Sequence, residues 1–312
     1  MPAMTLDEVL AKSKGKMTIF KDMRAAAAVE LSEKLLVNIP DMHLLERGPD
    51  DDFIDTHPEH EDRFLGFVYF LQDLRKELGD AIVIIQVGDM YDLWQARGNT
   101  NLIHAAYPNV LGNLEKLDPI YVIGNHDIDL YNWYKEQGLT FNRKWRWLYP
   151  SDGPPRLLFE HGFQADFANN QSSWSGALGR EISRLVGYME YLNPDIDVIL
   201  GGAWESVSRM FSIYNAGLSP TRDPDRDKSH QHEYTRYYVD RMQQYNRGDT
   251  EDHHGPADFH AVIIGHTHTP RLVSRSGEGD KMFYLLDCGS WVNGGHEFGV
   301  ITGKEMAVCQ WG

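Results

Sequence analysis

The chain has 312 residues, 42% hydrophobic and 24% charged, a globular balance that excludes a disordered or fibrous protein. Thirty basic side chains stand against 46 acidic ones, a net charge of -16 that opposes extended contact with a phosphate backbone. No nucleic-acid polymer is therefore expected as a partner, although a small anionic substrate stays compatible if bound cations reverse the field in one cleft.

No uncharged apolar run approaches the ~18 residues of a membrane span. Asp7 and Glu8 stand where an export signal carries positive charge. Two cysteines, Cys288 and Cys309, cannot build a disulfide framework, and no CxxC pair exists for a thiolate metal site. These features predict a cytoplasmic chain with no transmembrane segment. Peripheral membrane contact stays open, and no oligomeric state is read.

In chain order, Thr5 to Lys34 reads as helical, Ala25 to Lys34 most strongly. Leu35-Leu36-Val37-Asn38-Ile39 is the first strand. From Glu61 to Leu78 apolar residues recur at three- and four-residue steps, the pattern of an amphipathic helix. Ala81 to Val87 is nearly continuous and β-branched, as a buried central strand is. Ile120 to Ile123, Leu157 to Phe159 and Ala261 to Ile264 repeat that pattern. Met282 to Asp287, Phe298 to Thr302 and Met306 to Gln310 are short strands around Gly-rich turns, expected as an antiparallel meander. Between Gly162 and Phe259 the sequence turns helical, with helices expected at Ala177 to Leu192, around Trp204 to Tyr214, and at His230 to Tyr245. Strands alternating with helices predict an α/β protein. The expected organisation is an N-terminal helical extension over 1–34, then one domain over 35–312 with a helical cap inserted at about 163–258.

The residues just past each strand carry the chemistry. After the first comes Asp41-Met42-His43. Gly88-Asp89-Met90-Tyr91-Asp92 succeeds the second, Gly124-Asn125-His126-Asp127 the third, His161-Gly162 the fourth, and Gly265-His266-Thr267-His268 the fifth. Ligands bind at the carboxyl ends of strands in open α/β sheets, so these residues are expected in one crevice. Carboxylate and imidazole without thiolate suit Mn, Fe, Zn or Co, and a carboxylate can bridge two ions ~3.5–4 Å apart. Singly, Asp-x-His and Gly-Asp are common turn chemistry. Five such motifs at successive strand ends are poorly explained by packing.

Together they resemble the motif set of the calcineurin-like metallophosphoesterase superfamily, from about Leu35 to the C-terminus. The resemblance implies an αββα sandwich of two mixed sheets flanked by helices. It also implies two divalent ions, Mn favoured, with Asp41, His43, Asp89 and His268 at one. Asp89 would bridge to the second, held also by Asn125, His161 and His266. A narrower similarity links His161-Gly162, the insertion before Gly265 and Gly289-Ser290-Trp291 to UDP-2,3-diacylglucosamine hydrolases. Against that branch, His126 stands where it carries Arg, and Phe163 where it carries an acidic residue.

The implied chemistry is hydrolysis of a small phosphate ester (monoester, diester or nucleotide-type pyrophosphate) by a metal-activated hydroxide. His126, not a ligand, would be the general acid, and Asp92 would hydrogen-bond and orient it. Asp127 is expected to hold the site by a hydrogen bond from outside the ligand set. The alternative is a non-catalytic scaffold or binding module on the same fold, which predicts eroded motifs, whereas every position here is filled. His57, His60, His230, His232, His253 and His254 lie in polar surroundings and read as solvated, and nothing fixes the place of His296. Arg180, Arg184, Tyr188 and Tyr191 read as a helix-surface stripe and Trp174, Trp204 and Phe211 as cap packing. Arg143 and Arg146 are weaker candidates for a phosphate clamp.

Overall fold

The computed structural model describes residues 4–24, 30–48, 51–54, 59–93, 95–96, 99–127, 142–144, 147–149, 154–163, 165, 224–248 and 257–312. Two compact units are present, one of Met1–Phe163 with Tyr238–Gly312, the other Gln164–Tyr237. Of the second unit, the described part is Ala165 and Pro224 to Tyr237, within a helix that reaches Arg247. That helix contains the one expected at His230 to Tyr245, whereas those expected at 177–192 and around 204–214 lie outside the described residues.

In the first unit, α1 (Leu6–Lys12) starts on a capping box, in which the Thr5 hydroxyl accepts from the Glu8 N–H and the Glu8 carboxylate accepts from the Thr5 N–H. The helix stops there. Left-handed Lys14 (φ 54°) and Gly15 (φ 84°) turn the chain, and β1 (Met17–Arg24) pairs antiparallel with β12 (Glu305–Trp311). The helical reading of Thr5 to Lys34 is thus corrected at Met17–Arg24 and Ser32–Lys34, which are strand, while 25–29 lie outside the described residues. A partner almost 300 residues away decides the conformation of β1, and Ser32 to Lys34 open β2 (Ser32–Ile39).

The remaining elements are α2 (His60–Leu78), β3 (Ile82–Val87), α3 (Thr100–Ala106), α4 (Pro108–Glu115), β4 (Ile120–Val122), β5 (Asn142–Lys144), β6 (Trp147–Leu148), β7 (Leu157–Phe159), α5 (Pro224–Arg247), β8 (Ala261–Ile264), β9 (Arg271–Ser276), β10 (Met282–Asp287) and β11 (Glu297–Gly303). One sheet has the order β1-β12-β11-β2-β3-β4-β5, the other β6-β7-β8-β10-β9. Both are mixed. In the first, β2 to β5 run parallel and β1, β12 and β11 antiparallel. In the second, β7, β8 and β10 run parallel between antiparallel edges β6 and β9. The expected C-terminal meander is therefore divided: β11 and β12 form a hairpin in the first sheet, while Met282–Asp287 lies in the second, inserted between β8 and β9.

Strand periodicity explains the layers. Leu35, Val37, Ile39, Ile82 and Ile84 face one core with Phe64, Phe67, Leu71 and Leu74 of α2 and Val110 and Leu114 of α4. Their neighbours Leu36, Ile85 and Val87 face a second core with Phe159, Ile263, Leu272 and Leu286 of the other sheet. Side chains alternate across a strand, so one register commits each strand to both cores. Each fully buried Leu, Ile, Val or Phe contributes roughly 1.5–3 kcal/mol. Beyond the second sheet, α5 docks through Tyr238, Arg241 and Asn246, which meet the Gly162 carbonyl, Glu160 and Phe259. Helices, sheet, sheet, helix: the αββα sandwich expected from the motifs is the observed fold. Among the described residues no helix is long and apolar enough to cross a membrane.

A polar pair is buried under α3 and α4. The Tyr107 hydroxyl donates to Asp51, whose second oxygen accepts from the Phe53 N–H at 3.3 Å. Burial pushes the Asp51 carboxyl up to about 6 despite the Tyr107 bond. The raised value favours the protonated form in the fold, so its stabilisation is complete below the ordinary carboxylate range and fades as pH rises towards 6. Asp51→Asn should therefore gain stability relative to wild type between pH 4 and 6, with the gap constant above. Urea unfolding across that range checks this; a pH-independent difference would refute it.

Candidate metal centre

The carboxyl ends of β2, β3 and β4 in one sheet and of β7 and β8 in the other converge. Parallel registers set Ile39 beside Gln86, Val87 beside Val122, and Phe159 beside Ile263, so the strands end nearly level within each sheet. Backbone bonds continue past them: the Met42 and His43 N–H groups both donate to the Asp89 carbonyl at 2.9 Å, and Leu93 N–H to the His126 carbonyl at 3.1 Å.

Asp41 and Asp89 sit at the centre, both with almost no exposed surface. Asp41 accepts the His266 backbone N–H through both oxygens at 2.9 and 3.0 Å, and its Oδ2 lies 3.0 Å from His268 Nε2. Asp89 Oδ1 accepts the His126 backbone N–H at 2.8 Å, and its Oδ2 lies 3.0 Å from His161 Nε2. Two imidazoles span both carboxylates. His43 Nε2 is 3.8 Å from Asp41 and 3.6 Å from Asp89, while His161 is 3.7 Å from Asp41 through Nδ1.

The tautomer of His161 follows from its partners. Nδ1 must donate to the Val87 carbonyl at 2.8 Å, so in the neutral ring Nε2 carries the lone pair. That lone pair faces Asp89 Oδ2, which is also only an acceptor. A proton or a cation between them satisfies both. Buried His43 Nε2 likewise has no hydrogen-bond partner. Three sets of donor atoms lie within 4.8 Å of one another: Asp41, His43 and His268; Asp89, His161 and His266; and His43, Asp89 and His126. Asn125 joins the second, its side-chain oxygen 3.0 Å from His161 Nε2.

Charge follows the geometry. Burial alone would raise the Asp41 and Asp89 carboxyls, but His161 foremost holds Asp41 well below its ordinary value and Asp89 at about 2. Burial opposes the charge on His161, yet Asp89 and Asp41 lift that ring to about 10. His43 is also held well above the ordinary range by Asp41 and Asp92 against its own burial. The site attracts positive charge.

His126 and Asp92 lie at the rim. His126 Nδ1 is 3.3 Å from Asp92 Oδ1, its ring is 4.4 Å from that of His43, and its side chain is 17% exposed, open enough to meet a ligand. Asp92 Oδ2 lies 3.8 Å from His43 Nδ1. Asp127 is buried and binds no imidazole. It accepts N–H groups from Gly124 at 2.7 Å and Met90 at 3.0 Å and the Tyr121 hydroxyl, tying the loop after β4 to the loop after β3.

The backbone is forced into this shape. His43, Asp89, His266 and His268 all have φ between 49° and 67°, where an L residue costs roughly 1–3 kcal/mol. Glycines make room: a Cβ at Gly265 would collide with Asp41 Oδ1, and one at Gly88 (φ 93°) with His161 Nδ1.

All ten predicted residues thus come together. Among the other histidines, His60 is a correction. It is fully buried, with its ring bonded to the Trp291 carbonyl at 3.0 Å, because α2 brings its first turn against the loop between β10 and β11. His296 hydrogen-bonds the Gly294 carbonyl. His57, Arg146, His253, His254 and the cap residues Trp174, Arg180, Arg184, Tyr188, Tyr191, Trp204 and Phe211 lie outside the described residues. Sequence reasoning passed over Tyr121, and also the trio Thr267, Arg271 and Asp287, since nothing in their spacing marks a contact across three strands.

No protein-family model matches the chain, and no curated protein matches it. Among solved structures it is similar to a dimetal phosphatase from Danio rerio at 11% identity and a TM-score of 0.39, covering 89% of this chain and 99% of that one. It is also similar to a 5'-nucleotidase precursor from Thermus thermophilus at 13% identity and a TM-score of 0.34, covering 86% of this chain and 50% of that one.

Gly88→Ala tests the packing of the site. The new Cβ should drive His161 off the Val87 carbonyl and cost about 1–3 kcal/mol in urea unfolding. Loss of the protected His161 Nδ1–H signal in proton NMR would report the displacement; an unchanged signal and stability would contradict the close approach.

Proposed function

We propose that this protein is a metal-dependent phosphoesterase that holds two divalent cations and hydrolyses a small phosphate ester. The observation that carries the reading is the pair of ligand-rich sets around Asp41 and Asp89, with His43 Nε2 buried between both carboxylates and unbonded. Asp41, His43, Asp89 and His268 would hold one ion, and Asp89, Asn125, His161 and His266 the other. Such oxygen and nitrogen donors suit Mn, Fe, Zn or Co, with Mn the first choice. When bound, two such ions supply Lewis-acid polarisation of phosphoryl oxygens and lower the pKa of water towards neutrality.

The chain's own residues divide the remaining work. Asp89 and Asp41 fix the imidazoles that face them, and the Val87 carbonyl fixes the His161 tautomer. His126 stands at the rim with Nδ1 towards Asp92 and would give a proton to the leaving oxygen. Asp92 orients that ring, and Asp127 joins the loops that carry Asp89 and His126. The third donor set includes His126, but its link to Asp92 supports a proton-transfer role.

The substrate would be small: a phosphomonoester, a phosphodiester or a nucleotide-type pyrophosphate. Trp291 is buried and its backbone N–H donates to the Asp41 carbonyl at 2.7 Å, making Gly289-Ser290-Trp291 part of the frame.

His126→Gln separates the roles. Hydrolysis of p-nitrophenyl phosphate or its bis ester should fall about 10²–10⁴-fold while two metals per chain remain by plasma emission analysis. Loss of one metal would make His126 a ligand instead. Asp89→Ala should abolish both metal uptake and turnover, and wild-type protein without metal-dependent hydrolysis of any ester in a panel of monoesters, cyclic nucleotides and UDP-sugars would sink the enzyme reading in favour of a binding module.

A further inference from the structure

The loop that presents His266 and His268 has both residues in left-handed backbone, φ 67° and 54°. Asp41 anchors one side of it through the His266 N–H and the His268 ring. The residue between them, Thr267, points to a different anchor. Its hydroxyl lies 2.5 Å from Asp287 Oδ2, and the same oxygen is gripped by Arg271 through Nε at 3.1 Å and a terminal nitrogen at 3.0 Å. Asp287 is fully buried and Arg271 is 8% exposed, so this is an interior ion pair with the threonine as its third member.

Register explains how the three meet. Asp287 ends β10 beside Ile264, which ends β8 three residues before Thr267, and Arg271 begins β9 directly across from Asp287. The trio thus sits where β10 ends, β9 begins and the loop after β8 turns. Thr267 Oγ1 also accepts the Thr269 N–H at 3.3 Å, which leaves its hydroxyl proton for Asp287. Donation from hydroxyl to carboxylate is a charge-assisted bond, the strong kind.

We infer that Thr267 is a positioning residue: its hydroxyl, held by the buried Asp287–Arg271 pair, locks the loop in the left-handed form that turns His266 and His268 to the same centre. The inference rests on the proposed metal centre and names what sets its geometry from the second sheet. Asp287 holds Thr267 while Asp41 holds the His266 N–H and the His268 ring, so the loop is fixed from two sides.

The test compares wild type with Thr267→Val, which keeps the shape and removes the hydroxyl, and Thr267→Ser, which keeps the hydroxyl. Co²⁺ is titrated into each full-length, metal-free protein, followed by its visible d–d absorption and by competition with a chelator. Loss of outer hydrogen bonds to metal-binding residues typically weakens affinity about 10- to 100-fold, and that loss with an altered spectrum is expected for Thr267→Val. Thr267→Ser should restore both affinity and spectrum, which a merely structural role for the side chain would not predict. A Thr267→Val protein that binds Co²⁺ as wild type does, or a Thr267→Ser protein that falls with it, overturns the inference alone. If Thr267→Val does not fold, the serine variant still decides. Wild-type protein that takes up no Co²⁺ overturns the metal-centre reading and this inference together.

Discussion

Asp41 and Asp89 are carboxylates removed from water within reach of the same two imidazoles, His43 and His161. Burying one ion costs several kcal/mol after relaxation, so two close together persist only where opposite charge is fixed beside them. Other features arise from meeting that demand. The strand ends are nearly level within each sheet, so that the imidazoles reach both carboxylates. Four residues accept left-handed backbone, and glycines give up their side chains where a Cβ would strike Asp41 or His161. Unfavourable conformation and buried charge are thus concentrated in one place, and a cation bound there would couple ligand affinity to stability.

The two sheets contribute different chemistry. Asp41, His43, Asp89, Asp92, Asn125, His126 and Asp127 follow β2, β3 and β4 of the first sheet, while His161, His266 and His268 follow β7 and β8 of the second. The first sheet carries all four carboxylates with two imidazoles, and the second brings three more imidazoles to them. Their relative placement is set by the apolar core between the sheets, where Leu36, Ile85 and Val87 meet Phe159, Ile263 and Leu286. The non-directional burial of that core thereby fixes contacts of about 3 Å between charged groups.

Much of this was legible in the sequence because the signals are local. Buried parallel strands are short apolar runs, and each is followed at once by its functional residues, so fold and site share one pattern from Leu35 onward. The limits have equally definite causes. Met17–Arg24 has no strong strand pattern of its own and is extended because β12 pairs with it. The C-terminal strands look consecutive, but Met282–Asp287 pairs in parallel with β8 in the other sheet, a choice that alternation along one strand cannot express. His60 seemed solvated from its polar neighbours, whereas its surroundings come from Trp291 and Phe53. The contact between Thr267 and Asp287 spans 20 residues and depends on two strand registers at once.

Asp92 joins two functions that are easily treated apart. One of its oxygens lies 3.3 Å from Nδ1 of His126, the other 3.8 Å from Nδ1 of His43. His43 turns Nε2 towards Asp41 and Asp89 at the centre, whereas His126 stands at the rim. A single carboxylate therefore meets both the inner imidazole of His43 and the outer one of His126, and the two rings meet edge to face with centroids 4.4 Å apart. Residues sharing a partner in this way do not act independently, and substitutions among His43, Asp92 and His126 should be non-additive. If His126 gives the proton as proposed, Asp92 would align the donor ring together with the inner His43, so displacing Asp92 would disturb both.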